Sequence, residues 1–194
     1  MHRSSYEHME ELAREYLPAA AGGTVVDIGS QDINGSYRSI FESRGWHYTG
    51  VDAAGGCNVD VVAPDPYRYP LASGSADLVI SGQAFEHVEY FWLSWLEIVR
   101  LTRPGGRIFL IAPSRGPEHR HPVDCWRFYA DGFRALARWG EVELLHVSTD
   151  TEPHADPESA VWGDTVGVFA ATTRLSWRRA LLARAMRALM GGSG

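Results

Sequence analysis

Residues 24–35 have the sequence Thr-Val-Val-Asp-Ile-Gly-Ser-Gln-Asp-Ile-Asn-Gly, which contains the strongest structural signal in the chain. The apolar run Thr24–Ile28 predicts a buried strand, and Gly29 directly after it predicts a sharp turn of the backbone. Gly35 precedes a predicted helix over residues 36–44. A strand, a glycine turn and a helix at the carboxyl edge of a parallel sheet form a cradle of the size of a nucleotide.

The residues of this turn indicate which nucleotide-like ligand fits. A dinucleotide-binding turn needs three glycines, so that the backbone can approach a pyrophosphate. Here Gln31 and Asn34 occupy the second and third glycine positions, and the carboxylates of Asp27 and Asp32 would repel phosphates. A carboxylate at this place suits a ligand with a positively charged amino group and no phosphate. S-adenosylmethionine is such a ligand, whereas a nicotinamide cofactor, and with it an oxidoreductase, is disfavoured.

The composition is that of an ordinary globular protein and argues against several classes of function. With 194 residues the chain favours a single domain, and its formal net charge of -6 argues against nucleic acid as a partner. The two cysteines, Cys57 and Cys125, are far apart in sequence, so we expect free thiols in a reducing cytoplasm. No apolar run approaches the ~20 residues that span a bilayer, and the N-terminus lacks the apolar region of a secretion signal.

Strands and helices alternate along most of the chain. This pattern predicts an α/β fold, with a Rossmann-like doubly wound, mostly parallel sheet, an antiparallel late strand and helices on both faces. A capping box at Ser4–Glu7 is expected to begin the first helix, Asp131 to cap the fourth, and Arg103–Gly106 to form a turn. The predicted strands cover residues 24–28, 47–51, 58–62, 76–81, 107–112, 142–147 and 165–172, and the predicted helices cover residues 4–17, 36–44, 91–101 and 131–139.

Residues 1–175 are expected to form one domain, in which 113–130 and 150–163 are variable segments next to the substrate. A basic amphipathic helix and tail follow at 176–194, and we expect its apolar face to pack on the domain or on a second copy in a homodimer. Weak binding to a membrane surface is an alternative, but a second anchoring signal is lacking. The apolar residues of this helix are Trp177, Leu181, Leu182, Ala185, Met186 and Leu189.

Several short motifs occur in a fixed order along the first two thirds of the chain. They are Asp27-Ile28-Gly29 with Gly35, Gly50-Val51-Asp52, the run from Tyr69 through Ser81 to Phe85-Glu86-His87-Val88, and Leu101 to Arg107. Together they resemble the class I S-adenosylmethionine-dependent methyltransferases of the type 11 group, over about residues 22–113. The resemblance implies S-adenosylmethionine as cofactor and methyl transfer as activity. After residue 113 the chain departs from the family pattern, in the part that usually forms the substrate wall.

The resemblance and the chemistry of the side chains together imply roles at the cofactor site. Asp27 is expected to bind the methionine ammonium, and Asp52 to accept hydrogen bonds from both ribose hydroxyls. Asp65 is expected to accept a hydrogen bond from the adenine amino group. Each of these acids has a simpler alternative role, as a helix cap or a turn residue. The predicted cofactor-binding residues are Asp27, Gly29, Ser30, Gln31, Gly35, Asp52, Ala53, Asp65, Pro66, Gly82 and Gln83.

Transfer to a hydroxyl also needs a base that takes its proton. The predicted catalytic residues are His87, His119, His121 and Asp124. His87 follows the fourth strand and is therefore expected near the methyl group, with a purely structural histidine as the alternative. His119 and His121 alternate, so in an extended loop they point the same way, and Asp124 is placed to orient one imidazole. With Glu118 they form an alternative divalent-metal set, but the spacing is not diagnostic and no metal is predicted.

The predicted function is S-adenosylmethionine-dependent methyl transfer to a small molecule, with O-methylation of a natural product or sugar in secondary metabolism as the leading hypothesis. The aromatic residues Trp126, Phe128 and Tyr129 suit a lid over an aromatic or glycosyl acceptor. The alternative is a non-catalytic module of the same fold that binds S-adenosylmethionine or serves assembly.

Overall fold

The computed structural model describes residues 2–18 and 22–190 of the chain. Within them, seven strands and five α-helices alternate along the sequence, and one turn of 3-10 helix lies at Phe85–His87. The elements are α1 (Arg3–Tyr16), β1 (Thr24–Ile28), α2 (Arg38–Glu42), β2 (His47–Asp52), β3 (Val61–Val62), β4 (Ala76–Gly82), α3 (Phe91–Leu101), β5 (Thr102–Arg115), α4 (Ala130–Gly140), β6 (Glu143–Thr149), β7 (Gly163–Ala171) and α5 (Trp177–Met190).

All seven strands form one sheet in the order β3-β2-β1-β4-β5-β7-β6. The pairs from β3 to β5 are parallel, whereas β7 is antiparallel to both of its neighbours, β5 and β6. The chain proceeds outward from β1 to β3 and then returns to place β4 on the other side of β1. At such a reversal, a crevice opens beyond the carboxyl ends of the two central strands. The predicted fold class is therefore confirmed.

The sheet is buried on both faces because successive residues of its central strands point to opposite sides. Val25 of β1 packs in the core beneath α1 and α2, together with Met9 and Phe41. Its neighbour Val26 packs in the core beneath α3 and α4, together with Trp95. This double burial explains why β1 and β4 read as continuous apolar runs, as parallel strands with helices on both faces do.

Trp95 is the largest side chain that is fully buried, and its replacement is expected to have a large effect on stability. Its indole N–H donates to the carbonyl of Leu136 at 2.8 Å, and its ring meets Phe169 edge-on at 4.7 Å. Trp95→Ala is expected to lower the free energy of unfolding by ~3–5 kcal/mol, measured by urea denaturation. Trp177→Ala, at an exposed position, should stay within about 0.5 kcal/mol of the parent. If Trp95→Ala lowered the free energy of unfolding by only about 0.5 kcal/mol, that result would contradict the packing described.

The two predicted helix starts were wrong. Helix α1 begins at Arg3, so Ser4 and Ser5 lie inside it and are buried, with no side-chain cap at its N-terminus. The hydroxyl of Ser5 instead shares a hydrogen bond of 2.6 Å with that of Tyr37. Helix α4 begins at Ala130, and Asp131 lies in its first turn without capping it. The hydroxyl of Ser4 is buried without a hydrogen-bond partner among the described residues, and Asp131 accepts a hydrogen bond from Arg134 at 2.9 Å.

Three predicted segments differ in length from those observed. Helix α2 is limited to Arg38–Glu42. Strand β3 contains only Val61 and Val62, because Asn58 has a φ of 68° and its side chain donates to the carbonyl of Ser30. The turn predicted at residues 103–106 lies within β5, where the register passes from Ala76↔Thr102 to Leu78↔Arg107. Five residues of β5 therefore span the same length of the sheet as two residues of β4. The Pro-Gly segment contains the three extra residues of β5.

Helix α5 lies on α3, as expected for a helix on the domain surface, but not through its apolar face, and a contact with a second copy stays a prediction. The guanidinium of Arg179 lies 4.3 Å above the ring of Trp139, and Arg187 donates to the carbonyl of Tyr67 at 2.7 Å. Trp177 and Leu189 of the apolar set are 71% and 83% exposed. Residues 191–194 of the predicted tail are outside the described residues, and the domain limits remain a prediction. In the described part of the chain, no helix has the length and apolar character to cross a membrane.

Candidate active site

A cavity of about 1210 Å³ lies beyond the carboxyl ends of β1, β2 and β4. It is larger than the ~300–1,000 Å³ of a usual small-molecule site, so a cofactor and a small second ligand fit together. Of the predicted site residues, all but Asp65 and Asp124 line it. Those that line it are Asp27, Gly29, Ser30, Gln31, Gly35, Asp52, Ala53, Pro66, Gly82, Gln83, His87, His119 and His121.

The turn after β1 brings backbone into the cavity wall, and only glycine suits its first position. Gly29 has a φ of 81°, and a Cβ built there would overlap the Cβ of Ala84. The N–H groups of Gly29 and Ser30 both donate to the carbonyl of Val51, at 2.9 and 3.2 Å. The turn is therefore fixed to β2, and Gly29 lines the cavity with backbone alone.

Asp27 provides a buried carboxylate with one oxygen free for a ligand. One oxygen accepts a hydrogen bond from the hydroxyl of Tyr48, and Oδ1 has no partner among the described residues. Burial raises the pKa of Asp27 to about 7, against the opposing effect of the Tyr48 hydrogen bond. A buried carboxylate that lacks a countercharge at the wall of a cavity is suited to a cationic ligand group.

The pH dependence of cofactor affinity is expected to reflect Asp27. A pKa raised to about 7 means that the carboxyl is neutral below this pH and offers no countercharge to an ammonium group. The dissociation constant of S-adenosylmethionine, measured by calorimetry, should therefore rise as the pH falls from about 8 to about 5.5. Asp27→Asn should bind weakly throughout and lose this pH dependence. A parent protein with constant affinity over the same range would show that Asp27 does not pair with the ligand.

Asp52 and Asp65 were predicted as partners in one site, but the structure places only Asp52 in the cavity. Asp52 ends β2 and accepts a hydrogen bond from the N–H of Gln31 at 2.9 Å, which connects it to the glycine turn. Asp65 is exposed and accepts from the N–H of Tyr67 at 2.8 Å. Asp65 thus has the turn role that was its alternative, and the side of the cavity near it is formed by Pro66 and Tyr67.

At the other end of the cavity, two predicted histidines meet a glutamate that the sequence analysis did not single out. His87 Nε2 lies 3.6 Å and His119 Nε2 lies 3.9 Å from the same oxygen of Glu86. Glu86 is fully buried in the 3-10 turn, neither of its oxygens has a hydrogen bond among the described residues, and burial raises its pKa to about 8. The signal available in the sequence was a charged residue inside the apolar segment after β4.

Asp124 lies behind His119 and does not reach the cavity. It accepts the backbone N–H of His119 at 2.8 Å, and its Oδ2 is 3.4 Å from His119 Nδ1. Arg127 binds both oxygens of Asp124 and holds the pKa of that carboxyl well below its usual range. Asp124 is therefore placed to orient an imidazole. Glu118 is exposed and paired with Arg120, so the metal set built on Glu118 is not assembled.

His121 is the predicted histidine with the freest ring. Its ring lies 5.6 Å from that of His87 and 6.0 Å from that of His119, and it lines the same cavity. No hydrogen bond of its ring nitrogens occurs within residues 2–18 and 22–190. A ligand in the cavity can therefore approach this imidazole without displacing a protein partner.

The predicted aromatic lid was wrong, and another aromatic residue lines the cavity instead. Phe128 is buried in the core, whereas Trp126 packs on Phe91 and donates to the carbonyl of Val88 outside the cavity. The cavity is lined by Trp162, which precedes β7 and lies 4.8 Å from the ring of His119. The ring of His2 stacks on Trp162 at 4.9 Å, so the start of α1 closes this side.

Comparison with known proteins shows similarity to methyltransferases. Residues 26–110 match the family described as a methyltransferase domain, of type 11. A protein of Mycolicibacterium gilvum named "uncharacterized methyltransferase" is 29% identical over 169 residues, which are 80% of this chain and 60% of that protein. A Mycobacterium ulcerans protein of the same name is 29% identical over 82% of this chain and 62% of its own length. The chain thus spans about 60% of the length of these curated relatives.

Solved structures share the fold at low identity. The 1,6-didemethyltoxoflavin-N1-methyltransferase of Burkholderia thailandensis, with bound 1,6-didemethyltoxoflavin and S-adenosylhomocysteine, has a TM-score of 0.67 at 16% identity, covering 86% of this chain and 78% of its own. The shared fold and the match over residues 26–110 are both those of a methyltransferase domain. The carboxylates beside the glycine turn line the cavity where such a domain binds its ligands. Residues 26–110, a little under half of the chain, are similar to this methyltransferase domain, and the fold of the chain is shared with solved methyltransferase structures.

Proposed function

We propose that this protein transfers the methyl group of S-adenosylmethionine to a hydroxyl group of a small molecule, such as a natural product or a sugar. The observation that carries the proposal is one continuous cavity with an unpaired carboxylate, Asp27, at the cofactor turn and a free imidazole, His121, in its opposite wall. The cofactor-binding turn and a candidate base therefore share one space.

The residues at the β1 end of the cavity fit the cofactor. Asp27 has a free oxygen for the methionine ammonium, and Asp52 has the carboxylate geometry for a ribose diol. Gly29 lines the cavity and has no side chain of its own, so a ligand can approach its backbone closely. When bound, S-adenosylmethionine supplies an electrophilic methyl group on a positively charged sulfur, so little further activation is required of the protein.

The residues at the other end then position an acceptor and accept its proton. His121 is the candidate base, and its unpaired ring is accessible to a hydroxyl in the cavity. His2 and Trp162 cover one side and limit the access of water, and fixed positioning of this kind supplies on the order of 7–11 kcal/mol in favourable cases. The small-molecule class is supported by the Burkholderia thailandensis enzyme, whose structure contains 1,6-didemethyltoxoflavin.

The experiment combines binding with turnover. S-adenosylmethionine and S-adenosylhomocysteine should each raise the melting temperature, since a ligand that binds only the folded state stabilises it. Methyl-labelled S-adenosylmethionine should then yield labelled product with a panel of hydroxylated aromatic compounds and sugars, whereas amine-only analogues should not react. Absence of a thermal shift at millimolar cofactor would overturn the assignment of the cofactor turn. Binding without labelled product in any panel would favour the non-catalytic module.

The proposed compartment is the cytoplasm, and this proposal rests on the two cysteines. Cys57 and Cys125 are free thiols and both are exposed, in support of the proposal that the protein works in the reducing cytoplasm.

A further inference from the structure

Three potential metal ligands converge at the acceptor end of the cavity. They are a carboxylate oxygen of Glu86 and the Nε2 atoms of His87 and His119, and all three atoms lie within 4.8 Å of one another. Nitrogen and oxygen ligands bound to Zn²⁺ at ~2.0–2.2 Å are ~3.3–3.6 Å apart in a tetrahedral site. The observed separations from the Glu86 oxygen, 3.6 Å to His87 and 3.9 Å to His119, require only a small contraction.

The outer nitrogen of His87 has the partner expected of a metal-binding histidine, and that of His119 lies near a carboxylate without a hydrogen bond among the described residues. His87 Nδ1 lies 2.6 Å from the carbonyl oxygen of Val123, to which it can only donate, so its Nε2 is left with a free lone pair that faces Glu86. His119 Nδ1 lies 3.4 Å from Asp124, which Arg127 holds in place. A histidine ligand usually donates its second nitrogen to a carbonyl or a carboxylate, which fixes its tautomer and orientation.

The burial of Glu86 is the independent observation that points to a cation. Its side chain is fully buried, and both oxygens lack a hydrogen-bond partner among the described residues. A buried carboxylate is costly unless it is paired with a positive charge or bound to a metal. The guanidinium of Arg127 is bound to Asp124 and forms no ion pair with Glu86. A divalent ion between Glu86 and the two imidazoles supplies the missing charge.

We propose that Glu86, His87 and His119 form a binding site for a divalent first-row transition metal ion, with an open coordination position toward the cavity. Two imidazoles and one carboxylate suit Zn²⁺, Co²⁺, Ni²⁺ or Fe²⁺, whereas Mg²⁺ and Ca²⁺ prefer oxygen ligands alone. Three protein ligands leave a position for a further donor, as in sites that bind a substrate. An oxygen of the acceptor is the expected fourth donor, and this last point rests on the proposed function, whereas the metal site does not.

The test measures metal binding without any acceptor. Protein freed of metal by chelation, and carrying no histidine tag, is titrated with Zn²⁺ by calorimetry and with Co²⁺ by visible absorption. We expect a site that involves these three residues, visible Co²⁺ bands typical of mixed nitrogen and oxygen ligation, and no competition by millimolar Mg²⁺. Glu86→Gln and His119→Ala should each weaken Zn²⁺ binding by more than the ~10–100-fold that loss of an outer hydrogen-bond partner costs. Asp124→Asn, which removes the negative charge 3.4 Å from His119 Nδ1 and leaves all three ligands in place, should weaken binding by less than either of these variants.

The matched control is a histidine from a second cluster, in which His8 lies near Asp150 and Asp164. His8 is already hydrogen-bonded to Asp150 at 3.1 Å, so His8→Ala should leave Zn²⁺ affinity unchanged. Glu86→Gln replaces a buried carboxyl group by an amide of the same shape, so urea denaturation of the metal-free protein should show no loss of stability. Zn²⁺ binding that is absent, or that survives in both Glu86→Gln and His119→Ala, would overturn the proposal. The thermal shift with S-adenosylmethionine would remain in that case, which separates this failure from a failure of the proposed function.

Discussion

Replacing Asp52 with alanine is expected to weaken S-adenosylmethionine binding by ~10²–10⁴-fold, because hydrogen bonds to a charged group contribute ~1.5–3 kcal/mol each and a ribose diol makes two. The carboxylate also accepts the N–H of Gln31 at 2.9 Å, so its loss removes one of the hydrogen bonds that hold the glycine turn to β2. Calorimetric titration of the purified variant measures the change. Asp52→Asn, which retains one acceptor oxygen and the shape of the side chain, should lie between the parent and Asp52→Ala.

Asp65 provides the control for this experiment. From the sequence alone, Asp65 and Asp52 are equally plausible cofactor ligands, since both are acids at predicted loop positions after strands. In the structure Asp65 is exposed and bonded to the N–H of Tyr67, and it does not line the cavity. Asp65→Ala should therefore change cofactor affinity by no more than the ~0.5 kcal/mol of an ordinary surface substitution. If Asp65→Ala weakens cofactor binding as much as Asp52→Ala does, Asp65 belongs to the cofactor site and the cavity described here is incomplete.

The elements that could be predicted are those whose limits depend on local sequence. Strand β1 and helix α3 have the predicted bounds, because their apolar periodicity and the glycines or acids beside them are sufficient signals. Strand β3 could not be predicted in this way. Its segment has strand-like composition, but Asn58 takes a left-handed conformation to bond Ser30, and that contact depends on how β1 and β2 pair.

The cofactor end of the site was more accessible to sequence reasoning than the acceptor end. Asp27, Gly29 and Asp52 are all close to strand ends, and parallel strands bring their carboxyl ends to one edge of the sheet. Glu86 and His119 lie 3.9 Å apart across a loop that has no periodicity, so nothing local indicates their approach. The same holds for Trp162, which reaches the cavity only because β7 runs antiparallel beside β5.

His121→Ala is expected to lower kcat for methylation of a hydroxyl acceptor by ~10²–10⁴-fold, the usual contribution of a positioned base. The affinity for S-adenosylmethionine should stay within the ~0.5 kcal/mol of a neutral change, because His121 is not among the residues that fit the cofactor. The measurement is a comparison of kcat, KM and cofactor Kd on the acceptor that the labelled-product panel identifies. Added imidazole should restore part of kcat if the missing group is a base.

His146 is the matched control, because it is a half-buried histidine on β6 that does not line the cavity and whose ring hydrogen-bonds only Ser148 among the described residues. His146→Ala should keep the kcat of the parent. The separation of kcat from Kd matters because His121 lies next to His87 and His119, and a structural disturbance of that cluster would also change acceptor KM. If His121→Ala raises KM and leaves kcat unchanged, the histidine binds the acceptor without taking its proton. A variant with the parent's kcat and KM would remove His121 from the reaction altogether.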